Sequence, residues 1–236
     1  MTRKNILIVG SEGLVGKYLI SNLQKKYNCI GIDIKKRNNV KNYFYCDLSD
    51  GRKFKKLLSK IYKRNKIFAA INLIYPLKSN TFLQENISKF TKFINNHIIA
   101  YYNFNKCLYD LFKKENKRKF IINFSSIYGT KIPNFNIYKG TGIKMPIEYS
   151  ISKSALIIMT KYFREWSKYK NKKIEFISIS PAGIDSNQSV RFKKNYLKFY
   201  KKKMIPLKLI YISVNKLLSN YNNKSKDLVI TGGAKI

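Results

Sequence analysis

A short apolar run that ends in closely spaced glycines constrains the fold of this chain more than any other stretch. The run Asn5-Ile6-Leu7-Ile8-Val9 stops at Gly10, and apolar residues then recur at helical spacing between Leu14 and Leu23. This pattern predicts a strand, a tight turn and a helix. The turn reads Gly-x-x-Gly-x-x-Gly, which lets the backbone approach a pyrophosphate at the N-terminus of the helix. The residues predicted to contact a dinucleotide here are Gly10, Ser11, Gly13, Leu14, Val15 and Gly16.

An acidic residue follows the next predicted strand. Cys29-Ile30-Gly31-Ile32 is a second apolar run, and Asp33 ends it about 20 residues after the glycine turn. A carboxylate in this place accepts a hydrogen bond from the 2′-hydroxyl of an adenosine ribose and repels a 2′-phosphate. The sequence therefore favours NAD over NADP, while Lys35 and Arg37 nearby leave NADP open. As an alternative, Asp33 caps a helix.

Apolar runs and amphipathic helical segments alternate along the rest of the chain. Further strands are predicted at 43–46, 68–73, 120–124, 174–179 and 228–230, and helices at 51–63, 87–112, 149–169 and 210–218. This alternation predicts the α/β class: a single-domain Rossmann fold over residues 1–236, with a doubly wound parallel sheet of about seven strands flanked by helices. Ligands bind at the carboxyl ends of such strands, so Asp47, Leu48 and Asn72 are further candidate cofactor-binding residues. Asp47 is alternatively a turn residue.

A phenol and an ammonium group, on Tyr149 and Lys153, stand four residues apart where a helix is predicted to begin. This spacing places both on one helical face. A lysine so placed lowers the pKa of the phenol and hydrogen-bonds a cofactor ribose, which makes the tyrosine a proton donor or acceptor for an alcohol or carbonyl. Because Tyr and Lys are abundant in this chain, the alternative is an exposed tyrosine beside a solvated lysine.

The formal net charge is +36, from 48 Lys and Arg against 12 Asp and Glu. Such a balance is typical of proteins that bind nucleic acid or acidic membranes. Here the lysines run from Lys4 to Lys235 without a discrete tail and accompany many Asn, Ile, Tyr and Phe residues, the usage of an AT-rich genome. We therefore expect no specific nucleic-acid partner. An anionic ligand or non-specific polyanion binding is the alternative, and only residues 192–203 are dense enough in charge to form a patch.

Other sequence features argue against several classes of protein. No apolar run reaches the ~18 residues that a membrane span needs, and no secretory signal is seen, so we expect a cytoplasmic protein. Cys29, Cys46 and Cys107 are widely and irregularly spaced, which predicts reduced thiols. With one histidine and no paired cysteines, the sequence predicts no metal site.

Taken in order, these motifs resemble those of the short-chain dehydrogenase/reductase family along nearly the whole chain. The matching residues are Gly10, Gly13, Gly16, Asp33, Asp47-Leu48, Asn72, Ser125-Ser126, Tyr149-x-x-x-Lys153 and Ser180-Pro181-Ala182-Gly183-Ile184. More narrowly, residues 124–129, 133–138, 145–149 and 160–163 resemble the branch often called flagellin-modification protein A, which is associated with making sugars for bacterial surface glycans. The chain departs from the family's pattern at Val9, Leu73-Ile74-Tyr75, Ala182 and Thr231.

The resemblance implies roles for individual residues. Tyr149 would be the catalytic acid/base, Lys153 would lower its pKa and hold the nicotinamide ribose, and Ser126 would hydrogen-bond the substrate oxygen. His97 takes the place of the family's helical asparagine and would either relay a proton or hydrogen-bond a backbone carbonyl. The residues that would line the nicotinamide are Pro181, Gly183 and Ile184.

The resemblance also implies two segments beside the substrate. Residues 130–148 lengthen the gap between the serine and the tyrosine and are expected to form an inserted substrate-side loop. Residues 185–206 are expected to form a lid. The lysines of this lid either face solvent or contact a phosphate or carboxylate.

The expected function is NAD(P)-dependent interconversion of a secondary alcohol and a ketone, on a sugar or nucleotide-sugar intermediate of surface glycan biosynthesis. Two alternatives stay open: a 3-oxoacyl-carrier-protein reductase, and a non-catalytic dinucleotide-binding protein with the same fold. The expected partner is a small-molecule substrate, either sugar-like or anionic. The apolar and aromatic segment 87–112 predicts a homodimer or homotetramer.

Overall fold

The computed structural model describes residues 3–37, 40–75, 81–219 and 226–232. The strands are β1 Asn5–Val9, β2 Asn28–Asp33, β3 Tyr43–Tyr45, β4 Ile67–Asn72, β5 Lys119–Phe124, β6 Ile174–Pro181 and β7 Asp227–Ile230. The α-helices are α1 Leu14–Leu23, α2 Gly51–Arg64, α3 Ile87–Phe112, α4 Ile147–Tyr169, α5 Val190–Tyr200 and α6 Leu207–Ser219. The domain predicted over 1–236 also includes 1–2, 38–39, 76–80, 220–225 and 233–236, which lie outside the described residues.

Within the described residues, seven parallel strands form one sheet in the order β3-β2-β1-β4-β5-β6-β7. This is the predicted doubly wound α/β architecture. The strand order reverses between β1 and β4, and open α/β sheets bind ligands in the crevice beyond the carboxyl ends of the strands at such a point. The segments that follow β1, β2, β4, β5 and β6 therefore meet at one edge of the sheet.

Strand β1 shows how the sheet buries both of its faces. Leu7 and Val9 pack in one apolar layer with residues of α2, α3 and α4, whereas Ile6 and Ile8 pack in the other with residues of α1 and α6. All four side chains are at most 2% exposed. Helices cover both sides of the sheet, so a continuous apolar run, and not an alternating one, forms this strand.

Helix α5 lies where the sequence predicts only a basic lid segment. Its buried face carries Phe192, Tyr196 and Tyr200 at a spacing of one helical turn. Ser189 caps its N-terminus by accepting a hydrogen bond from the Phe192 N–H at 3.2 Å. The lysines between these aromatic residues hid the helical period in the sequence. The predicted insert likewise contains a short 3₁₀ helix, Phe135–Tyr138, and its last two residues belong to α4.

The structure can be compared with three predictions from the sequence, which concern a membrane span, the state of the cysteines and a metal site. None of the helices within the described ranges has the length and apolar character needed to cross a bilayer. The three cysteines are free thiols, and burial raises the pKa of Cys29 and of Cys46 to about 11, which keeps both protonated at neutral pH. Among the described residues, no group of three or more His, Cys, Asp and Glu side chains is arranged to hold a metal ion.

Candidate active site

The glycine turn lies at the carboxyl end of β1 and is closed by contacts between backbone atoms. Gly10 has a φ of +79°, and a Cβ atom there would lie 2.7 Å from the carbonyl oxygen of Leu73. A Cβ atom on Gly16 would lie 2.3 Å from the carbonyl oxygen of Gly10. Both positions thus need glycine, because any side chain would overlap main-chain atoms. The turn leads into α1, whose N-cap is Gly13.

The other predicted residues of the turn differ in exposure. Ser11 is buried, and its hydroxyl lies against Gly31 of β2, where a Cβ atom would be 2.9 Å from it. Leu14 is half exposed at the start of α1, and Val15 is partly buried against the layer that contains α6. Ser11 therefore packs the turn onto β2, while Leu14 stays accessible at the edge of the sheet.

Asp33 lies at the end of β2 beside the glycine turn and is 8% exposed. Its carboxylate accepts hydrogen bonds from the N–H groups of Glu12, at 2.8 Å, and Lys35, at 3.1 Å. Glu12 in turn pairs with Arg37, whose Nε lies 3.1 Å from the Glu12 Oε2. Because strand β3, and not a helix, follows Asp33, this residue caps no helix and instead ties the glycine turn to β2.

The three other predicted cofactor residues on the same edge are placed differently. Asp47 is exposed, and its carboxylate accepts a hydrogen bond from a backbone N–H two residues on, at 2.9 Å. Leu48 is buried in the layer formed by α2, α3 and α4. Asn72 is fully buried: its Oδ1 accepts from the Ile74 N–H and its Nδ2 donates to the Asn123 Oδ1, both at 3.0 Å. Asp47 stays accessible, whereas Leu48 and Asn72 support the backbone that borders the site.

Asn72 belongs to a network of buried amides that crosses the core. The Asn123 Nδ2 donates to the Asn105 Oδ1 at 2.8 Å and to the Thr160 Oγ1 at 3.0 Å. The Asn105 Nδ2 donates to the carbonyl oxygen of Tyr101 at 2.8 Å. All four polar side chains are 0% exposed, and each finds a partner, so the network rigidifies the core. It joins β4, β5, α3 and α4, which are the elements that carry the candidate catalytic residues.

Lys153 is 3% exposed, and its ammonium group donates to the carbonyl oxygens of Ile74, at 3.1 Å, and Phe124, at 3.0 Å. The same group lies 5.3 Å from the ring centre of Tyr101 and 6.0 Å from that of Tyr149. Within the described part of the chain no carboxylate forms an ion pair with it. Burial therefore lowers the pKa of Lys153 to about 7.

Tyr149 lies in the first turn of α4 and is half-buried. Its ring packs 5.7 Å from the ring of Tyr75, and the side chain of Ser126 faces its hydroxyl. Burial raises the pKa of Tyr149 above its ordinary value, the nearby Tyr75 raises it further, and the nearby Ser126 side chain opposes the rise. Desolvation of the phenolate is thus the largest influence on the pKa of Tyr149, and Lys153, which is itself partly neutral near pH 7, does not offset it.

The two serines after β5 make different contacts. The Ser125 hydroxyl donates to the carbonyl oxygen of Lys153 at 2.8 Å and so fastens the end of β5 to α4. The Ser126 hydroxyl accepts from the Tyr128 N–H at 3.2 Å and faces Tyr149. The structure thus brings Ser126, Tyr149 and Lys153 together, whereas Ser125 only joins the end of β5 to α4.

His97 lies on α3 near Lys153 and is 8% exposed. Its Nδ1 lies 2.7 Å from the carbonyl oxygen of Phe93, and because a carbonyl only accepts, Nδ1 carries the proton. Burial lowers the pKa of His97, the hydrogen bond to Phe93 opposes this, and the charge of Lys153 lowers the pKa further. This geometry corresponds to the alternative in which His97 hydrogen-bonds a backbone carbonyl.

The turn after β6 is held against α5. Pro181 is buried at the end of the strand, and the Gly183 N–H donates to the Tyr196 hydroxyl at 3.2 Å. A Cβ atom on Gly183 would lie 2.7 Å from the Tyr196 ring. Ile184 pairs with Ile205 in a short parallel bridge. The residues predicted to line a nicotinamide therefore lie between the sheet edge and the segment predicted as a lid.

Three residues at the site were not predicted to act there. The carbonyl of Ile74 holds Lys153, the ring of Tyr75 covers Tyr149, and the fully buried ring of Tyr101 lies against both Lys153 and His97. Ile74 and Tyr75 were visible in the sequence only as departures from the family's pattern. Tyr101 was indistinguishable from the other aromatic residues of the segment 87–112.

The sequence is similar to a known protein family and to a known protein. A family model described as the NAD dependent epimerase/dehydratase family matches residues 6–181. The post-translational flagellin modification protein A of Campylobacter coli is 23% identical in an alignment of 217 residues that covers 84% of this chain and 84% of that protein.

Solved structures agree with these sequence matches. A short-chain dehydrogenase from Leptospira borgpetersenii serovar Hardjo-bovis, with bound NAD+, superposes with a TM-score of 0.83 and 25% identity over 99% of this chain and 93% of that one. A 3-oxoacyl-[acyl-carrier protein] reductase from Brucella melitensis, with bound NAD, has a TM-score of 0.78 at 14% identity, over 99% and 91% of the two chains, and shares the fold. The resemblance to short-chain dehydrogenases and to flagellin-modification protein A is confirmed.

Proposed function

The chain belongs to the NAD dependent epimerase/dehydratase family and is an NAD(P)-dependent oxidoreductase of the short-chain dehydrogenase type, and on this premise we propose that it interconverts a secondary alcohol and a ketone on a sugar or nucleotide-sugar intermediate. The observation that carries the proposal is the convergence of Ser126, Tyr149 and Lys153 beside the glycine turn. The relative named for post-translational modification of flagellin supports a precursor of a surface glycan as the substrate.

The glycine turn fits a dinucleotide. Helices α2, α3 and α5 begin with side-chain caps from Asp50, Asn86 and Ser189, whereas the N-cap of α1 is Gly13, which has no side chain to cap the helix. The N–H groups of its first turn are thus suited to a pyrophosphate. The turn also packs against Leu73, next to the carbonyl that holds Lys153, so the pyrophosphate end and the catalytic end share one short segment. Pro181, Gly183 and Ile184 would line the nicotinamide.

Asp33 supports NAD as the preferred cofactor. Its carboxylate is fixed by two backbone N–H groups and keeps lone pairs for a ribose hydroxyl, while its charge disfavours a 2′-phosphate. Arg37 lies close by, but its Nε is paired with Glu12. We therefore expect tighter binding of NADH than of NADPH, with NADP binding weaker and not absent.

In the mechanism that this geometry supports, Tyr149 exchanges a proton with the substrate oxygen. Ser126 hydrogen-bonds the same oxygen and orients it. Lys153, held by two carbonyls, is positioned to bind a ribose hydroxyl, and in its protonated form its charge stabilises the phenolate that forms when Tyr149 releases its proton. The nicotinamide, when bound, supplies or accepts the hydride.

Fluorescence titration with NADH and NADPH tests the cofactor site. Gly13→Asp should abolish binding, because it places a carboxylate beside the pyrophosphate while its Cβ atom, 3.3 Å from the Gly10 carbonyl oxygen, is nearly tolerated. Asp33→Ala should still bind NADH, but the ratio of its affinity for NADH to its affinity for NADPH should be smaller than in the wild type. Failure of the folded wild-type protein to bind either cofactor would show that only the fold is retained.

Turnover of Tyr149→Phe tests the reaction. Phenylalanine keeps the packing against Tyr75 and removes the hydroxyl, so turnover should fall by about 10²–10⁴-fold while NADH affinity stays unchanged. The assay uses a panel of sugars, nucleotide sugars and small alcohols and ketones. A variant that turns over at the wild-type rate would contradict the assignment.

A 3-oxoacyl-carrier-protein reductase remains the second candidate because of the basic surface. The exposed face of α2 lines a shallow hollow of about 490 Å³ with the residues Arg52, Lys55, Lys56, Ser59, Lys60 and Lys63. An acidic carrier protein complements such a face. Saturable reduction of an acyl-carrier substrate, with sugars inert, would favour this candidate. NADH binding without any Tyr149-dependent turnover would favour a non-catalytic protein.

A homodimer fits the exposed apolar face of α4. The predicted interface segment, α3, keeps Ile87, Ile99 and Tyr102 exposed. Further exposed apolar residues lie along one side of α4: Ile147, Ile151, Ile158, Tyr162, Trp166 and Tyr169. A stripe of this length is typical of a helix that packs against another subunit. Ile158→Asp combined with Tyr162→Asp should therefore give a monomer by light scattering. Ile212→Asp, at an exposed position of α6, is the matched control and should change nothing.

A further inference from the structure

Three tyrosine hydroxyls meet where the insert faces α5. The Tyr138 hydroxyl donates to that of Tyr128 at 3.3 Å, and the Tyr128 hydroxyl lies 3.3 Å from that of Tyr200, the last residue of α5. The Tyr200 oxygen also accepts from the backbone N–H of Asn134 at 3.4 Å. All three tyrosines are less than 10% exposed. Residues far apart in the chain thus form one hydroxyl cluster.

The insert and α5 form a single packed unit around these hydroxyls. Ile137 and Tyr138 share an apolar cluster with Phe192 and Tyr196 of α5. The side-chain amide of Asn195 donates to the carbonyl oxygens of Ile137 and Lys139, both at 3.2 Å. The two segments that were expected separately, 130–148 and 185–206, are therefore positioned together and cannot place their side chains independently.

The hydroxyl cluster borders the catalytic residues. Tyr128 packs in a small apolar cluster with Ala182, on the nicotinamide side, and with Tyr149. Its backbone N–H donates to the Ser126 hydroxyl at 3.2 Å. Burial raises the pKa of Tyr138, and Tyr149 is among the smaller causes of the rise. Through Tyr128, the hydroxyl cluster therefore lies beside Ser126 and Tyr149.

The hydrogen bonds within the cluster leave one hydroxyl without an acceptor. Three phenols carry three protons, and the two bonds between them use two. The third is free to donate outside the cluster, and each oxygen keeps acceptor capacity. The partners of the three hydroxyls are other phenols and a backbone N–H, so none of these contacts is to a charged group. Uncharged donors and acceptors of this kind suit hydroxyl groups, and the cluster itself offers no positive charge to pair with a phosphate or carboxylate.

We propose that Tyr128, Tyr138 and Tyr200 form the specificity-determining wall of the substrate site and bind the hydroxyl groups of a sugar ring. This inference rests on the proposed function, because it needs the substrate carbon to lie at Tyr149. It assigns the recognition of the uncharged, polyhydroxylated part of the substrate to the insert and α5. The lid lysines then have no part in holding that ring. A site built to hydrogen-bond hydroxyls also discriminates strongly against an analogue that lacks them.

The test compares hexoses with cyclohexanol as alcohol substrates for NAD reduction. The probes are D-glucose, D-galactose, N-acetyl-D-glucosamine, their UDP derivatives, and cyclohexanol. Tyr128→Phe, Tyr138→Phe and Tyr200→Phe each remove one hydroxyl and keep the ring. We expect kcat/KM for the preferred hexose substrate to fall by about 10-fold or more in each variant, since one lost hydrogen bond is worth about that factor. Turnover of cyclohexanol should change by less than about twofold.

Tyr109→Phe provides the matched control, because Tyr109 is equally buried but lies in the core layer with α2, α3 and α4. It should leave both substrates unaffected. An equal loss for hexose and cyclohexanol, or no loss for the hexose, would overturn the inference while Tyr149-dependent turnover still supported the proposed function. Absence of NADH binding, or turnover insensitive to Tyr149→Phe, would overturn the proposed function and the inference together.

Discussion

The two ends of the candidate site are built from different kinds of contact. At the dinucleotide end, the turn is closed by main chain against main chain: a Cβ atom on Gly10 or Gly16 would overlap backbone oxygens. At the substrate end, the insert and α5 meet through aromatic rings and hydroxyls, and a Cβ atom on Gly183 would overlap only the ring of Tyr196. Lys153 lies between the two ends and is held by carbonyls of the sheet edge.

This difference in contacts indicates which residues of the site tolerate substitution and which do not. Backbone contacts leave little room for adjustment, since the main chain of the glycine turn is hydrogen-bonded to β2 through the N–H groups of Gly10 and Ser11. Side-chain contacts can be exchanged for others of similar volume at modest cost. The dinucleotide end is therefore expected to tolerate almost no substitution, whereas the substrate end is the place where a chain of this fold acquires its own specificity.

The largest effect should come from one methyl group in the glycine turn. Gly16→Ala places a Cβ atom 2.3 Å from the Gly10 carbonyl oxygen and 2.8 Å from the Ser11 Cα, so the turn must shift. Because displacements of about 1 Å cost about 10²-fold in well-positioned sites, we expect NADH affinity to fall by at least that factor. Fluorescence titration of the folded variant measures it.

Gly13→Ala is the matched control at the same turn. Its Cβ atom would lie 3.3 Å from the Gly10 carbonyl oxygen, and Gly13 has a φ of −71°, which alanine adopts readily. We expect less than about a 10-fold loss of NADH affinity. Equal losses of NADH affinity in Gly16→Ala and Gly13→Ala would contradict this explanation. They would show that overlap with backbone atoms does not decide which substitutions the glycine turn tolerates.

Lys153→Met should show how much the buried ammonium group of Lys153, which lies between the two ends of the site, lowers the free energy of unfolding. Burial lowers the pKa of Lys153 from 10.5 to about 7, so between these pH values the unfolded chain binds a proton that the folded chain lacks. The free energy of unfolding of the wild type should therefore rise with pH through this window, by about 1.4 kcal/mol per pH unit from this group. Methionine does not titrate. The variant should be more stable than the wild type at pH 7, and its advantage should shrink toward pH 10.

Urea unfolding of the cofactor-free protein at pH 7, 8.5 and 10 measures this difference. Lys161→Met, at an exposed position of the same helix, is the control and should give a difference that does not depend on pH. A constant difference between the wild type and Lys153→Met across the three pH values would mean that Lys153 is charged throughout, and that its surroundings stabilise the ammonium.

The same contrast explains which parts of the structure were predictable from the sequence. The β1-turn-α1 unit and Asp33 follow from spacing within a short stretch, and Ser126, Tyr149 and Lys153 follow from the family's motifs. Helix α5 was missed because lysines interrupt its aromatic period, and the contacts among Tyr128, Tyr138 and Tyr200 join positions up to 72 residues apart. The inward-facing amide of Asn72 was not predicted either, because its neighbours Asn123 and Thr160 come from distant elements.

The smallest effect should come from adding a methyl group at the substrate end. Gly183→Ala places a Cβ atom 2.7 Å from the Tyr196 ring and 3.2 Å from the end of Met204, both of which are side chains that can turn aside. We expect KM for the substrate to rise by less than about 10-fold, with NADH affinity little changed. Tyr196→Leu in the same chain removes the ring and should restore KM, because the added methyl group then fills part of the vacated volume. No such second substitution should rescue Gly16→Ala, since its obstacle is a backbone carbonyl. If Tyr196→Leu failed to restore KM in the Gly183→Ala variant, the turn after β6 would have to be as rigid as the glycine turn. The two ends of the site would then not differ in their tolerance of substitution, contrary to what their backbone and side-chain contacts indicate.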